Sequence, residues 1–151
     1  MSETTLSQPL KLDELQGEQA VFSKTVGEFD VYQFAGVTGD FAPFHVDADL
    51  MSKSAYGQRI AHGVLILGYL ATASAVYWRV PGREGVGVSL GYDNVRFIKP
   101  VFLGDTITAT YQVTGWDEEK RRFLAEGRVT NQHGELVLAA THLTKAFAVE
   151  G

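Results

Sequence analysis

The chain of 151 residues has no cysteine. That excludes a disulfide framework, a thiolate nucleophile and any cysteine metal site, and it fits a reducing compartment such as the cytoplasm. Long apolar runs are absent too. The longest, Val64 to Ala71, contains Gly68 and soon meets Thr72 and Ser74. It falls short of the roughly 20 apolar residues that a membrane span needs. The opening residues, Met1 to Gln8, have neither the basic nor the apolar region of a signal peptide. Basic charge is not in excess: the net charge is −5, and only Lys120-Arg121-Arg122 cluster, directly after Asp117-Glu118-Glu119. That run reads as a solvated hairpin turn, so no nucleic-acid surface is expected. An anionic ligand must rely on a few local positive groups. There is no internal repeat and no linker, and the length suits one domain of ordinary size. The expected organisation is a polar segment over 1–18 and a single domain over 19–151.

What is present falls into two halves. Ala20 to Val26 is β-branched and aromatic enough for a first strand. Glu28 to Val37 has helical spacing, and Gly39 is a natural stop in the left-handed conformation. Pro43 should keep the next segment from continuing as helix. Asp47 or Asp49 can cap a short helix to about Ser54, and Tyr56-Gly57-Gln58-Arg59 reads as a turn. A helical turn is expected at Leu12-Asp13-Glu14-Leu15. Gly63 to Trp78 is apolar nearly all round, which predicts a buried helix ended by Pro81-Gly82. The second half is strand. Val86 to Ile98 is a candidate, and Thr106 to Thr114 alternates cleanly, with Ile107, Ala109, Tyr111 and Val113 on one face. Phe123 to Thr130 repeats that period. Asn131-Gln132-His133-Gly134 is a hairpin turn, and Leu136 to Phe147 closes the sheet. The fold class is therefore α+β: an antiparallel sheet wrapped around one long helix.

The chemistry concentrates in two places. Thr38-Gly39-Asp40-Phe41-Ala42-Pro43-Phe44-His45 holds an acid and an imidazole on a short rigid loop. Ala61-His62-Gly63 opens the apolar helix, where a glycine amide sits at the positive helix end. Asp40 and His45 are the parts needed to activate a water, and the Gly63 N–H is suited to polarising a carbonyl.

Phe34-Ala35, Thr38-Gly39-Asp40, Pro43, His45 and Ala61-His62-Gly63 resemble the signature of the MaoC-like, or (R)-specific enoyl-CoA hydratase, family. Val95-Arg96-Phe97, Lys99-Pro100-Val101 and Gly104-Asp105 extend the likeness into the sheet, so it covers most of the chain. The resemblance implies a hot-dog fold and the interconversion of trans-2-enoyl thioesters with (R)-3-hydroxyacyl thioesters. It implies Asp40 and His45 as the catalytic pair holding one water, with Gly63 binding the thioester oxygen. Acyl-CoA or acyl carrier protein thioesters are the implied partners, with no metal and no cofactor. Two positions depart from the pattern. The family asparagine before proline is Ala42 here, and a serine often found in the central helix is Ala71, beside Thr72. Ala42 keeps open a non-catalytic acyl-thioester-binding subunit, and the fold also hosts acyl-CoA thioesterases.

The remaining candidates carry plainer expectations. His45, Asp47 and Asp49 are too loosely spaced for a metal site, and capping explains the two aspartates better. His62 is expected to make a structural hydrogen bond, His133 to sit in a turn, and His142 to be packed or at an interface. Tyr69, Tyr77 and Trp78 are expected in the core. Arg59, Arg79, Arg96 and Lys99 could meet phosphates but read first as surface charges. A single copy leaves a sheet edge and a helix flank open, so a homodimer or a multiple of dimers is expected.

Overall fold

The computed structural model describes residues 17–79, 86–117 and 119–147. The helical turn expected at 12–15 and the stop at Pro81-Gly82 lie outside them. Strand β1 (Gln19–Thr25) leads into helix α1 (Glu28–Thr38) and two short helices, α2 (Pro43–Val46) and α3 (Ala48–Ser52). The long helix α4 (Gly63–Trp78) follows, and then β2 (Val86–Phe97), β3 (Thr106–Asp117), β4 (Arg122–Thr130) and β5 (Leu136–Phe147). The strands form one antiparallel sheet in the order β1-β3-β4-β5-β2.

Period-two patterning sets the inner face of that sheet. Ile107, Ala109, Tyr111 and Val113 of β3 are buried, as are Phe123, Ala125 and Val129 of β4. α4 lies against this face through Ile66, Leu70, Ala73 and Tyr77. Helix and sheet approach closely because Gly127 has no side chain: a Cβ there would stand 2.3 Å from Leu70 Cδ2.

Two expectations need correction. The apolar circumference of α4 predicts burial all round, but only one side is buried, which leaves the open flank expected of a single copy. Val64, Gly68, Ala71, Ala75 and Val76 are exposed, because five strands curl over one flank of a single copy. Pro43 does not merely interrupt helix. It starts α2, where its missing N–H costs nothing and its fixed φ suits a first turn.

Candidate active site

Local chemistry places the acid. α1 begins where the Asp30 carboxylate accepts the Gly27 N–H at 2.8 Å. It ends at Gly39, whose φ of 82° lets its N–H donate to the Ala35 carbonyl at 2.8 Å. The chain turns there, and Asp40 emerges into a cleft. Its backbone N–H meets Thr38 Oγ1 at 3.3 Å, and its Oδ1 accepts the Ala42 N–H at 3.2 Å.

α2 places the base. Pro43 begins it, and His45 falls in its only turn, pointing inward. The His45 side chain is 5% exposed, whereas that of Asp40 is 50% exposed. His45 Nδ1 lies 2.7 Å from the Ile60 carbonyl oxygen. A carbonyl only accepts, so Nδ1 carries the hydrogen and Nε2 presents its lone pair. That Nε2 stands 3.8 Å from Asp40 Oδ2. The gap is too long for a direct bond, and one water can reach both atoms. Burial pushes the imidazole below its ordinary value and His62 adds to this, while the Ile60 carbonyl and Asp40 oppose it. His45 is therefore neutral and basic at neutral pH.

The third part comes from the start of α4. Ile60 N–H donates to Phe44 O at 3.0 Å and Ala61 N–H to Val101 O at 2.8 Å, which pins the strand-like approach. Gly63 is the first helical residue, so its N–H has no partner within the helix. Glycine leaves room for the Phe97 ring there: a Cβ would lie 2.8 Å from it and would push it aside.

Asp40, His45 and Gly63 line one cleft of about 420 Å³. Its walls are apolar, among them Phe44, Val64, Phe97 and Ile98, with Ile66, Val137 and Leu138 deeper in. An apolar cleft with a few convergent polar groups at one point is the form of a small-molecule site with a single reacting centre.

His62 makes the hydrogen bond expected of it, its Nε2 donating to the Asp40 backbone carbonyl at 2.9 Å. Its ring stacks on His45 with centroids 3.6 Å apart and planes 27° apart. Asp40, His45 and His62 bring one donor atom each within 4.8 Å of the others. Stacked rings send their in-plane lone pairs side by side, so the two imidazoles do not converge on one ion as a tetrahedral site demands. Asp47 caps α3 by accepting the Leu50 N–H at 2.9 Å, and Asp49 pairs with Lys53 at 2.7 Å.

The other candidates are spread out. Tyr77 is in the core, with Tyr69 and Trp78 packed against it. His142 is buried, and His133 lies in the β4–β5 turn. Lys99 lines the cleft but pairs with Glu135, and Arg59 pairs with Glu28. Ala71 lies on the open flank of α4, away from the cleft lining. Sequence reasoning missed the Ile60 carbonyl and the Phe97 wall. A backbone acceptor leaves no mark on the sequence, and Phe97 reads as one more strand residue.

Residues 11–136 match the family described as the MaoC-like domain. An (R)-specific enoyl-CoA hydratase of Rhodospirillum rubrum is 38% identical over 106 residues, 70% of each chain. The solved (R)-hydratase from A. caviae involved in PHA biosynthesis superposes with a TM-score of 0.76 at 30% identity, covering 92% of this chain and 98% of that one. An R-hydratase from Pseudomonas aeruginosa in the unliganded form gives 0.74 at 31% identity, over 90% and 86% of the two chains.

Proposed function

The chain belongs to the MaoC-like domain family, and from that premise we propose that it adds water across the C2–C3 double bond of trans-2-enoyl-CoA, giving (R)-3-hydroxyacyl-CoA, and runs the reverse dehydration. The observation that carries this reading is the open Nε2 of His45, 3.8 Å from Asp40 Oδ2, in the cleft that Gly63 also lines. A water there donates one hydrogen to the carboxylate and one to the imidazole. Its oxygen lone pairs then face the substrate. As oxygen bonds to C3, the pair takes up a proton, and a proton is returned to C2. Negative charge grows on the thioester oxygen during addition. The Gly63 N–H, at the positive end of α4, stabilises it where it develops, an effect worth roughly 10²- to 10³-fold in rate in comparable sites.

The test is a panel of enoyl-CoA and enoyl-acyl carrier protein thioesters of graded chain length, with chiral analysis of the product. Catalytic hydration to the (R) alcohol is expected. Binding without turnover would mark a non-catalytic subunit, and release of free thiol a thioesterase.

The working unit in this reading is a homodimer. β2 is a sheet edge twelve residues long, and its Val88 and Leu90 are each 47% exposed. The small residues Gly68, Ala71 and Ala75 keep the open flank of α4 flat enough for close approach. A second copy pairing along β2 covers both. Sedimentation at micromolar concentration should give twice the chain mass, and a monomer would contradict it. No helix among the described residues is long and apolar enough to cross a membrane. With no cysteine to oxidise, the chain suits the cytoplasm, which cell fractionation can check.

A further inference from the structure

His62 lies outside the pair that meets the water, yet it touches both members. We propose that His62 is a positioning residue that holds Asp40 and His45 in register, through its Nε2–H bond to the Asp40 carbonyl and its ring stacked on the His45 imidazole. This inference rests on the roles assigned to Asp40 and His45 above.

Asp40 needs such a tie. Its other hydrogen bonds run to residues two positions away, at 3.3 Å to Thr38 and 3.2 Å to Ala42. Local bonds of that length let the loop move as a unit. The 2.9 Å bond to His62 joins it to the start of α4. His45 needs a restraint of another kind. Ile60 fixes one edge of its ring, and rotation about that bond is limited by the faces. Four rings stand in a row: Phe34 against His62 (4.8 Å), His62 against His45 (3.6 Å), and His45 against Phe44 (4.3 Å). His62 is thus the shared wall between the acid's backbone and the base's ring.

His62 is itself firmly held. It is fully buried, caps α4, and its carbonyl accepts the Ile66 N–H at 3.3 Å. Among the described residues its buried Nδ1 finds no hydrogen-bond partner. An orphaned buried nitrogen weakens a fold. A phenylalanine would stack here at no such cost, so the site retains something only a donor-bearing ring provides. Local rules are broken this way where geometry at a reacting centre matters more than stability.

Three variants separate the parts of the role. His62→Phe keeps a ring and loses the donor, His62→Gln keeps a donor and loses the ring, and His62→Ala loses both. With crotonyl-CoA, His62→Ala should lower kcat by about 100-fold with KM within about twofold, since small displacements of reacting groups cost rate rather than ground-state binding. The single-function variants should fall between. The acid limb of kcat/KM supplies a readout that a lower folded fraction cannot move. The titratable groups facing His45 are Asp40 and His62, and across the cleft Tyr56 and Lys99. Removing the ring in His62→Ala or His62→Gln admits water to His45 and should shift that limb upward, whereas His62→Phe keeps the ring, loses only the repulsion of a second imidazole, and should shift it less. Parent kcat in all three variants, or losses that follow the folded fraction with an unmoved limb, would overturn the proposal. If Asp40→Asn and His45→Gln retain the parent rate, the site assignment falls first and this inference with it.

Discussion

Of the three buried histidines among the described residues, His45 and His142 are built to opposite ends. His142 lies on β5, its ring stacked flat on Tyr92 at 4.2 Å. Its Nε2 meets Ser89 Oγ at 2.9 Å and its Nδ1 meets Thr144 Oγ1 at 3.3 Å. Hydroxyls donate or accept as required, so both ring nitrogens are satisfied whichever one carries the hydrogen. Burial pushes this imidazole down to about 4. His45 is also buried and also held below its ordinary value. Only one of its nitrogens is satisfied, by a carbonyl that fixes the tautomer, and the other opens into a cleft beside a carboxylate. Burial and lowered basicity are common to both. An open nitrogen facing an acid is what sets His45, in its proposed catalytic role, apart from the packed His142.

The sharpest way to break that contrast is to remove each group in turn. Asp40→Asn and His45→Gln should each lower kcat by about 10²- to 10⁴-fold, the range for a positioned acid or base. His142→Phe should leave the kcat of folded protein within about threefold. Comparable losses at both histidines, measured on crotonyl-CoA hydration, would erase the distinction.

Stability should discriminate in the other direction. The folded-state value of His142 lies below the unfolded one, so the unfolded chain binds more protons as pH falls. Its contribution is fully present above about pH 6.5 and is lost on acidification toward its folded value of about 4. The loss approaches 3 kcal/mol at pH 4. Urea unfolding of parent and His142→Phe protein at pH 7 and pH 4.5 checks this, since the variant should lack that part of the acid sensitivity. Equal slopes with pH would contradict it.

Packing behind the site gives a smaller effect of known origin. Gly127→Ala places a Cβ against the fully buried Leu70, and overpacking of this kind costs about 1–3 kcal/mol. The kcat of the folded fraction should not change, because Gly127 lies away from the cleft lining. Gly63→Ala is the subtle case. The backbone N–H survives, but the new methyl drives the Phe97 ring aside. A loss of about tenfold in kcat/KM is expected, as a displaced wall misaligns the substrate. A variant that matches the parent would show that Phe97 does not shape the reacting end.

Much of this was legible in the residues. Alternation in β3 and β4 set the inner face, and the apolar run placed α4 from Gly63 to Trp78. Gly39 as a left-handed stop and Asp47 as a cap follow from local chemistry that folding leaves intact. Asp40 and His45 stood out because a turn and a proline fix their spacing. The rest depended on distance in space. The Ile60 carbonyl that selects the His45 tautomer, and the Ser89 and Thr144 hydroxyls that quiet His142, are remote in sequence from the rings they serve. An open flank of α4 was expected of a single copy, but not which residues form it, because an apolar helix reads as buried whether its own sheet or a second copy covers it.

A crystal structure with (R)-3-hydroxybutyryl-CoA bound would examine the central claim most directly, because the product hydroxyl marks where the water stood. It should lie within hydrogen-bond distance of both Asp40 Oδ2 and His45 Nε2, with the thioester oxygen on the Gly63 N–H. A hydroxyl that meets neither side chain, or a thioester oxygen turned away from that amide, would contradict the account.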